Sequence, residues 1–252
     1  MTAKTQRLTG IHCVREALRA RRRELHCLRI RSDRTSPDLV EIRGLAERAG
    51  IPILPLPPRE RTEREASNPQ GVELEAGPLP EYDLETVLAK SPRGKHRRIV
   101  CLDQVEDPQN VGALMRVAEV VAADALVLTR RRAPPLGPAL ARASAGASEW
   151  LPVARVGNLG AALDQLKASG FWVVGADPEG DEELFALPDR FFEADLALLL
   201  GAEGRGIRAG VGRRLDHSVR IPTPGRIASL NVATAGAILL FECARRASRK
   251  AS

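Results

Sequence analysis

The chain has 252 residues and a formal charge of +6, with 44% hydrophobic and only 3% aromatic residues. This length allows one large domain or two modest ones, each with a hydrophobic core. The positive charge suits an anionic partner, whereas a membrane span is not expected because no stretch approaches about 20 apolar residues. No apolar region follows the first lysine, so a secretory signal is not expected either, and we expect a cytoplasmic protein.

The cysteines are widely scattered and form no CxxC pair: they are Cys13, Cys27, Cys101 and Cys243. The histidines are equally isolated. Zinc sites and disulfide frameworks both use cysteines or histidines at close, regular spacing. We therefore expect buried thiols in a reducing compartment and no bound metal.

The first part of the chain alternates short helices and strands. Hydrophobic periodicity and turn residues predict, in chain order, a helix over 9–20, a strand over 25–30, a helix over 37–49, and strands over 51–54 and 71–75. This alternation predicts a small α/β domain over residues 1–80. Residues 81–97 hold a short helix and the sequence SPRGKHRR, and we expect them to form a linker.

From residue 98 to residue 252 the pattern predicts a second, larger α/β domain. Its expected strands are 98–102, 125–128, 171–176, 195–200 and 219–221, and its expected helices are 110–122, 138–147 and 158–169, with a long helix closing the chain. The strand over 195–200 is a continuous apolar run, which is typical of a central parallel strand.

Two basic runs lie near the chain ends. One is the cluster Arg19–Arg23, and the other consists of Arg245, Arg246, Arg249 and Lys250. Such runs fit contacts with phosphate groups of a nucleic acid. The alternative is that they are solvated helix faces and a frayed terminus.

Three segments follow predicted strands and precede helices, which is where open α/β sheets bind ligands. In the first, LDQVEDPQNVGALMRVAE, we expect Asn110 at the helix cap and Arg116 two turns further along. Arg116 lies in an apolar helix, where an arginine without a role would be expensive to bury. The alternatives are a structural cap for Asn110 and a surface charge for Arg116.

The second segment, LLLGAEGRGI, places Gly201, Glu203, Gly204 and Gly206 directly after the central strand. These glycines do not match the GxGxxG order and position of a dinucleotide site, so a nicotinamide cofactor is not expected. A tight turn that presents its backbone to a small ligand is the preferred interpretation.

The third segment, IPTPGRIASLNVATAGAILLFE, runs from Ile221 to Glu242. Prolines and Gly225 precede the triplet Ser229-Leu230-Asn231, and a long helix of small apolar residues follows. Small side chains let a ligand approach backbone groups, and a helix N-terminus supplies unpaired donors. The simpler alternative is an ordinary helix start with Ser229 as its cap.

Together these residues resemble the SpoU/TrmH family of RNA ribose 2'-O-methyltransferases. The resemblance covers residues 98–245 and rests on three motifs: Asn110-x-Gly112-x-x-x-Arg116, Gly201-Ala202-Glu203-Gly204, and Ile221-Pro222 through Gly225 to Ser229-Leu230-Asn231-Val232. The region before Pro80 is similar to the ribosomal-protein-like RNA-binding domain of RlmB-type members, which methylate a guanosine ribose of large-subunit ribosomal RNA.

The resemblance implies an α/β fold in which a small ribosomal-protein-like RNA-binding domain precedes a SPOUT-type parallel-sheet domain. That second domain would contain a trefoil knot, a rare exception to unknotted topology. The resemblance also implies a homodimer, S-adenosylmethionine as methyl donor, and RNA as partner, with 23S rRNA the expected substrate.

By motif position, Arg116 acts on the ribose 2'-hydroxyl. The residues that would orient it and the ribose are Asn110, Glu203, Ser229 and Asn231. The residues that would hold the cofactor are Gly201, Ile221, Pro222, Gly225 and Leu230. Because an arginine is almost always protonated, we expect Arg116 to stabilise a developing alkoxide rather than to act as a simple general base.

Two other functions stay open. The first is a tRNA 2'-O-methyltransferase of the same family, although minimal tRNA-acting members usually lack an N-terminal domain. The second is a non-catalytic RNA-binding factor for ribosome assembly. The five polar motif residues argue against it, because a protein that only binds RNA need not retain them.

Overall fold

The computed structural model describes residues 5–31, 33, 36–57, 70–227 and 229–248. The chain forms two compact units, and these do not follow the chain order. The first contains residues 1–80 together with 135–150, and the second contains residues 81–134 and 151–252. Arg249 and Lys250 of the basic C-terminal run lie outside the described residues.

The first unit is built on a four-stranded mixed sheet. Its strands are β1 (Gln6–Thr9), β2 (Leu25–Ile30), β3 (Ile53–Pro55) and β4 (Val72–Ala76), in the order β1-β4-β2-β3. β4 runs antiparallel to β1 and β2, and β3 runs parallel to β2.

Helices α1 (Ile11–Ala20), α2 (Pro37–Ala49) and α5 (Pro138–Ala143), with a 3₁₀ turn at Ala147–Glu149, complete this unit. Their apolar faces share one core with the sheet, in which Leu8, Leu28 and Ile42 are fully buried.

The second unit is built on a seven-stranded sheet in which every neighbouring pair is parallel. Its strands are β5 (Arg98–Asp103), β6 (Ala125–Thr129), β7 (Val153–Val156), β8 (Trp172–Ala176), β9 (Glu182–Glu183), β10 (Leu196–Gly201) and β11 (His217–Arg220). They lie in the order β7-β6-β5-β10-β8-β11-β9, so that β5 and β10 are central. The predicted parallel-sheet domain after a small α/β domain is confirmed.

The helices of the second unit are α3 (Leu84–Leu88), α4 (Pro108–Val120), α6 (Leu159–Ala168), α7 (Asp189–Phe192), α8 (Ala209–Gly212) and α9 (Val232–Ser248), and a 3₁₀ turn covers Leu184–Ala186. The small residues of α9 allow close packing. A Cβ added to Gly236 would lie 2.2 Å from Cδ2 of Leu114 on α4 and 2.8 Å from Cδ1 of Leu200 on β10.

The sequence pattern missed three paired strands, β1, β7 and the two-residue β9. β1 takes Thr9, which was expected to cap the first helix. Thr9 instead pairs with Glu73, and α1 begins at Ile11. β7 is only four residues long and carries Arg155, so its apolar run is too short to recognise. Residues 81–97 contain α3, whose Leu84 and Val87 are buried in the core of the second unit.

All four cysteines are free and buried, as predicted. Burial raises the pKa of the Cys101 thiol on β5 to about 12, so this side chain behaves as an apolar core residue. The described part of the chain contains no helix long and apolar enough for a membrane span. It also contains no group of three or more histidine, cysteine, aspartate or glutamate side chains placed to hold a metal ion.

Candidate active site

Side chains from the three motifs meet at the carboxyl edge of the parallel sheet. Nδ2 of Asn110 donates to Oε1 of Glu203 across 3.1 Å. Nδ2 of Asn231 donates to Oδ1 of Asn110 across 2.9 Å and also to Oε1 of Glu203. The structure therefore brings these three predicted site residues, which come from three separate connections, into one hydrogen-bonded cluster.

The turn after β10 places Glu203 in this cluster. Its backbone folds back at once, since Gly206 N donates to Ala202 O across 2.8 Å. A Cβ on Gly201 would lie 2.2 Å from the backbone carbon of Gly206, so only glycine fits there. Gly204 and Gly206 have φ values of 74° and 61°, in the left-handed region that glycine adopts without strain.

A buried carboxylate ties the same turn to the neighbouring strand. Asp103, the last residue of β5, is fully buried, and both its oxygens accept from Arg208. The Arg208 backbone N–H donates across 2.9 Å and its Nε across 2.8 Å. The sequence analysis missed this pair. A lone aspartate and a lone arginine 105 positions apart give no local signal.

The Asn231 side chain both caps α9 and bonds to the active-site cluster. Its Oδ1 accepts from the backbone N–H groups of Ala233 and Thr234 at 2.9 and 3.3 Å, which caps α9. Its Nδ2 donates to the cluster. The alternative of Ser229 as the cap is wrong, because α9 begins only at Val232 and Asn231 caps it.

Asn110 does not cap α4, which corrects the sequence-based expectation. The helix begins two residues earlier, at Pro108, and Oδ1 of Asp107 accepts from Gln109 N across 3.0 Å. A proline has no N–H and suits the first helical position, so the Asp-Pro pair starts the helix. The Asn110 amide lies within the first turn and is left to bond Glu203 and Asn231.

The geometry of Arg116 also differs from expectation. The buried face of α4 consists of Val111, Gly112, Leu114, Met115 and Ala118. Arg116 is exposed on the other face, and within the described residues it makes no hydrogen bond or ion pair. The argument from burial cost is therefore wrong. Its position six residues after Asn110, about 9 Å along the helix axis, leaves the guanidinium open to an external partner.

A cavity of about 670 Å³ opens beside the cluster at the ends of β8, β10 and β11. This volume is in the range of small-molecule sites. Predicted site residues that line it are Gly201, Glu203, Ile221, Ser229, Leu230 and Asn231. The lining does not include Asn110, Arg116, Pro222 or Gly225.

The cavity also has walls that the sequence analysis did not single out. The turn after β8 contributes Asp177 and Glu179, and the Gly-rich turn contributes Arg205. Oδ1 of Asp177 accepts from Glu179 N across 2.9 Å, which shapes the turn. Because β8 was predicted, the rule that ligands bind at the carboxyl ends of parallel strands could have indicated Asp177.

Comparisons with known proteins agree with this geometry. The model of the SpoU rRNA methylase family matches residues 97–241, and a model for RNA 2'-O ribose methyltransferase substrate binding matches residues 7–82. The chain is 31% identical to the putative TrmH family tRNA/rRNA methyltransferase YacO of Bacillus subtilis, over 98% of both chains. It is 29% identical to the 23S rRNA (guanosine-2'-O-)-methyltransferase RlmB of Pseudomonas putida, over 97% of this chain and 98% of the relative.

Two solved structures resemble the fold to different extents. The SpoU methyltransferase AviRb from Streptomyces viridochromogenes, in complex with the cofactor AdoMet, matches with a TM-score of 0.77 at 23% identity, over 96% of this chain and 90% of AviRb. The A. aeolicus TrmH/SpoU tRNA modifying enzyme matches 66% of this chain and 81% of its own, with a TM-score of 0.56 at 24% identity.

Proposed function

This chain belongs to the SpoU rRNA methylase family, and we propose that the RNA it modifies is 23S rRNA, at the ribose of a guanosine. The chain is an S-adenosylmethionine-dependent RNA 2'-O-methyltransferase. The observation that carries the proposal is the cluster of Asn110, Glu203 and Asn231 beside a glycine-walled cavity.

Two observations favour rRNA over tRNA. The RlmB relative, named for 23S rRNA, aligns along nearly the whole chain. A model for RNA 2'-O ribose methyltransferase substrate binding matches residues 7–82 of this chain. The match to the A. aeolicus tRNA modifying enzyme covers only 66% of this chain, so about a third of the chain lies outside that match. A tRNA substrate is the second candidate, because the YacO relative is named for both tRNA and rRNA at 31% identity.

The residues around the cavity fit the methyl donor. Gly201 lines the cavity, and the turn that forms this wall needs glycine there because any Cβ would collide with the Gly206 backbone. We assign Gly201, Ile221 and Leu230 to hold the donor, mainly through backbone groups. Pro222 and Gly225 would act indirectly, by shaping the loop between β11 and α9.

S-adenosylmethionine supplies a methyl group that its sulfonium already activates. The remaining task of the protein is to position the ribose and to stabilise the charge that develops as the 2'-hydroxyl loses its proton. We assign that charge stabilisation to Arg116, whose guanidinium makes no hydrogen bond or ion pair among the described residues. The cluster of Asn110, Glu203 and Asn231, with Ser229, would orient the ribose.

The substrate can be tested with transcribed RNAs. The wild-type protein should transfer labelled methyl groups to unmodified 23S rRNA and not to bulk tRNA, and primer-extension mapping should place the label at one guanosine ribose. Efficient labelling of tRNA alone would overturn the rRNA assignment. Failure to label either RNA, together with no binding of S-adenosylmethionine in equilibrium dialysis, would favour a non-catalytic assembly factor.

A homodimer is the assembly that we propose. Helices α4 and α9 pack against each other, and each exposes a large apolar side chain. Val120 on α4 is 67% exposed and Phe241 on α9 is 52% exposed. Contiguous exposed apolar surface is typical of an interface with another protein, and we propose that Val120 and Phe241 contribute to such a surface.

Replacing Phe241 with glutamate should convert the dimer to a monomer, because a charge buried in an apolar interface is strongly unfavourable. Light scattering after size exclusion would measure the mass. Ala247→Glu is a matched control, since Ala247 is also exposed on α9. A Phe241→Glu variant that stays dimeric, or a monomeric wild type, would contradict the proposed interface.

We further propose that the region from β10 through α9 contains the trefoil knot of SPOUT-type domains and that the protein acts in the cytoplasm. The strand order supports the knot, because β10 lies between β5 and β8 while β11 lies beyond β8. The buried free thiols support a reducing compartment.

A further inference from the structure

Four arginines of the two basic runs are paired with carboxylates within the protein. Arg19 bonds Glu16 at 3.0 Å and also Glu41. Arg23 is buried against the buried Glu149 at 2.8 Å. At the other end, Arg245 and Arg246 both bond Glu242. The paired arginines of these runs are therefore poor candidates for phosphate contacts.

A different set of arginines is exposed and has no carboxylate partner among the described residues. Three of them, Arg130, Arg131 and Arg132, follow β6 directly. Arg132 Nη1 donates to the neutral amide oxygen of Gln104 across 3.3 Å, which leaves the charges of all three uncompensated. Both Arg132 and Gln104 have left-handed backbones, with φ values of 55° and 59°. A backbone conformation with positive φ is rare in residues other than glycine, and here it gives the turn a defined shape.

The three arginines lie at the same edge of the sheet as the active-site cluster. In the parallel sheet, β6 pairs with β5 and β5 pairs with β10, with Asp103 opposite Gly201. The end of β6 is therefore two strand spacings, about 10 Å, from the glycine wall of the cavity.

Three carboxylates on the connections at this edge of the sheet already have partners. Asp103 bonds Arg208, the Asp107 side chain caps α4, and Glu203 accepts from the two asparagines. Further exposed arginines without a carboxylate partner in the described part of the chain, Arg205 and Arg226, lie on the other connections that surround the cavity. Exposed arginines without carboxylate partners in the described residues therefore occur on three of the connections at this edge.

We propose that Arg130, Arg131 and Arg132 form a phosphate-binding patch that holds the RNA strand beside the ribose to be methylated. The proposal rests on the RNA methyl transfer proposed above and assigns the contact to this turn instead of the terminal basic runs. Guanidinium groups suit the task because each can donate two parallel hydrogen bonds to one phosphate.

A charge-matched pair of double variants tests the patch. Arg130→Gln/Arg131→Gln removes two charges from it. Arg190→Gln/Arg213→Gln removes two exposed charges that also lack a carboxylate partner in the described structure. Arg190 and Arg213 lie on the connections that lead into the starts of β10 and β11, at the opposite edge of the sheet. The probe is transcribed 23S rRNA, titrated over a series of KCl concentrations.

The patch variant should bind RNA about tenfold more weakly near physiological salt, and its plot of log affinity against log salt should be shallower by about 0.7 to 0.9 per arginine removed. Its KM for RNA should rise while kcat at saturating RNA is retained. The control variant should bind like the wild type.

Equal losses in both double variants, or no loss in either, would overturn the patch. So would a fall in kcat at unchanged RNA affinity, since that would place these arginines in the chemistry. The binding titration does not depend on turnover. A wild type that binds RNA but methylates neither 23S rRNA nor tRNA would therefore overturn the proposed function while the patch is still tested.

Discussion

Replacing Arg116 with alanine should lower kcat for RNA methylation by about 10²–10³, the usual cost of removing a group that stabilises transition-state charge. Binding of S-adenosylmethionine should stay near that of the wild type, because Arg116 does not line the cavity. The fold should also be unaffected, since the side chain is exposed and makes no contact that the variant would break among the described residues. Single-turnover methylation at saturating RNA and calorimetry with S-adenosylmethionine would measure the two effects.

Two further variants sharpen this result. Arg190→Ala removes an equally exposed arginine at the opposite edge of the sheet and should keep full activity. Arg116→Lys keeps the charge but loses the planar fork of donors, so it should have intermediate activity. Full activity of Arg116→Ala at saturating RNA would contradict the catalytic assignment. Loss of cofactor binding in the same variant would contradict it as well.

Replacing Gly201 with alanine should weaken binding of S-adenosylmethionine and lower the rate of RNA methylation by about 10²-fold, the rate effect expected when active-site groups are misplaced by about 1 Å. The added Cβ would lie 2.2 Å from the backbone carbon of Gly206 and 2.4 Å from Ile207 N. Both are backbone atoms, so the turn must move as a whole. Because Glu203 lies in this turn, its bonds to Asn110 and Asn231 would be disturbed too.

Gly157→Ala is the matched control for this experiment. Gly157 follows β7 at the same edge of the sheet, and a Cβ built on it meets nothing within 4 Å. Calorimetric titration would give the affinity of each variant, and thermal unfolding followed by circular dichroism would show how much folded protein each contains. An unchanged affinity in Gly201→Ala would mean that the turn does not bind the methyl donor.

Much of the fold could be predicted from local pattern, since most predicted strands and helices of both units lie within a few residues of the observed ones. Where prediction failed, a partner distant in sequence decided the outcome. Thr9 is a strand residue because Glu73 lies beside it. Residues 135–150 belong to the first unit, although they come after β6 of the second. Buried Arg23 bonds Glu149, 126 positions away.

The candidate site was only partly predictable for the same reason. The motif residues Asn110, Glu203 and Asn231 could be singled out because their spacing relative to glycines and predicted strands is specific. Their hydrogen bonds could not be predicted. The predictions of Asn110 as a cap and of Arg116 as a buried arginine were wrong, because both depend on where α4 begins and which face it buries.

The sequence by itself determined most of the strands and helices, the three motifs and the glycines that the tight turn requires, because these depend on neighbours within a few residues. Only the tertiary structure decided which charges are free to act. Arg19, Arg23 and Arg246 have carboxylate partners, whereas Arg116, Arg130 and Arg131 have none among the described residues. The charge that a surface presents depends on ion pairs between distant residues, and composition alone does not contain that information.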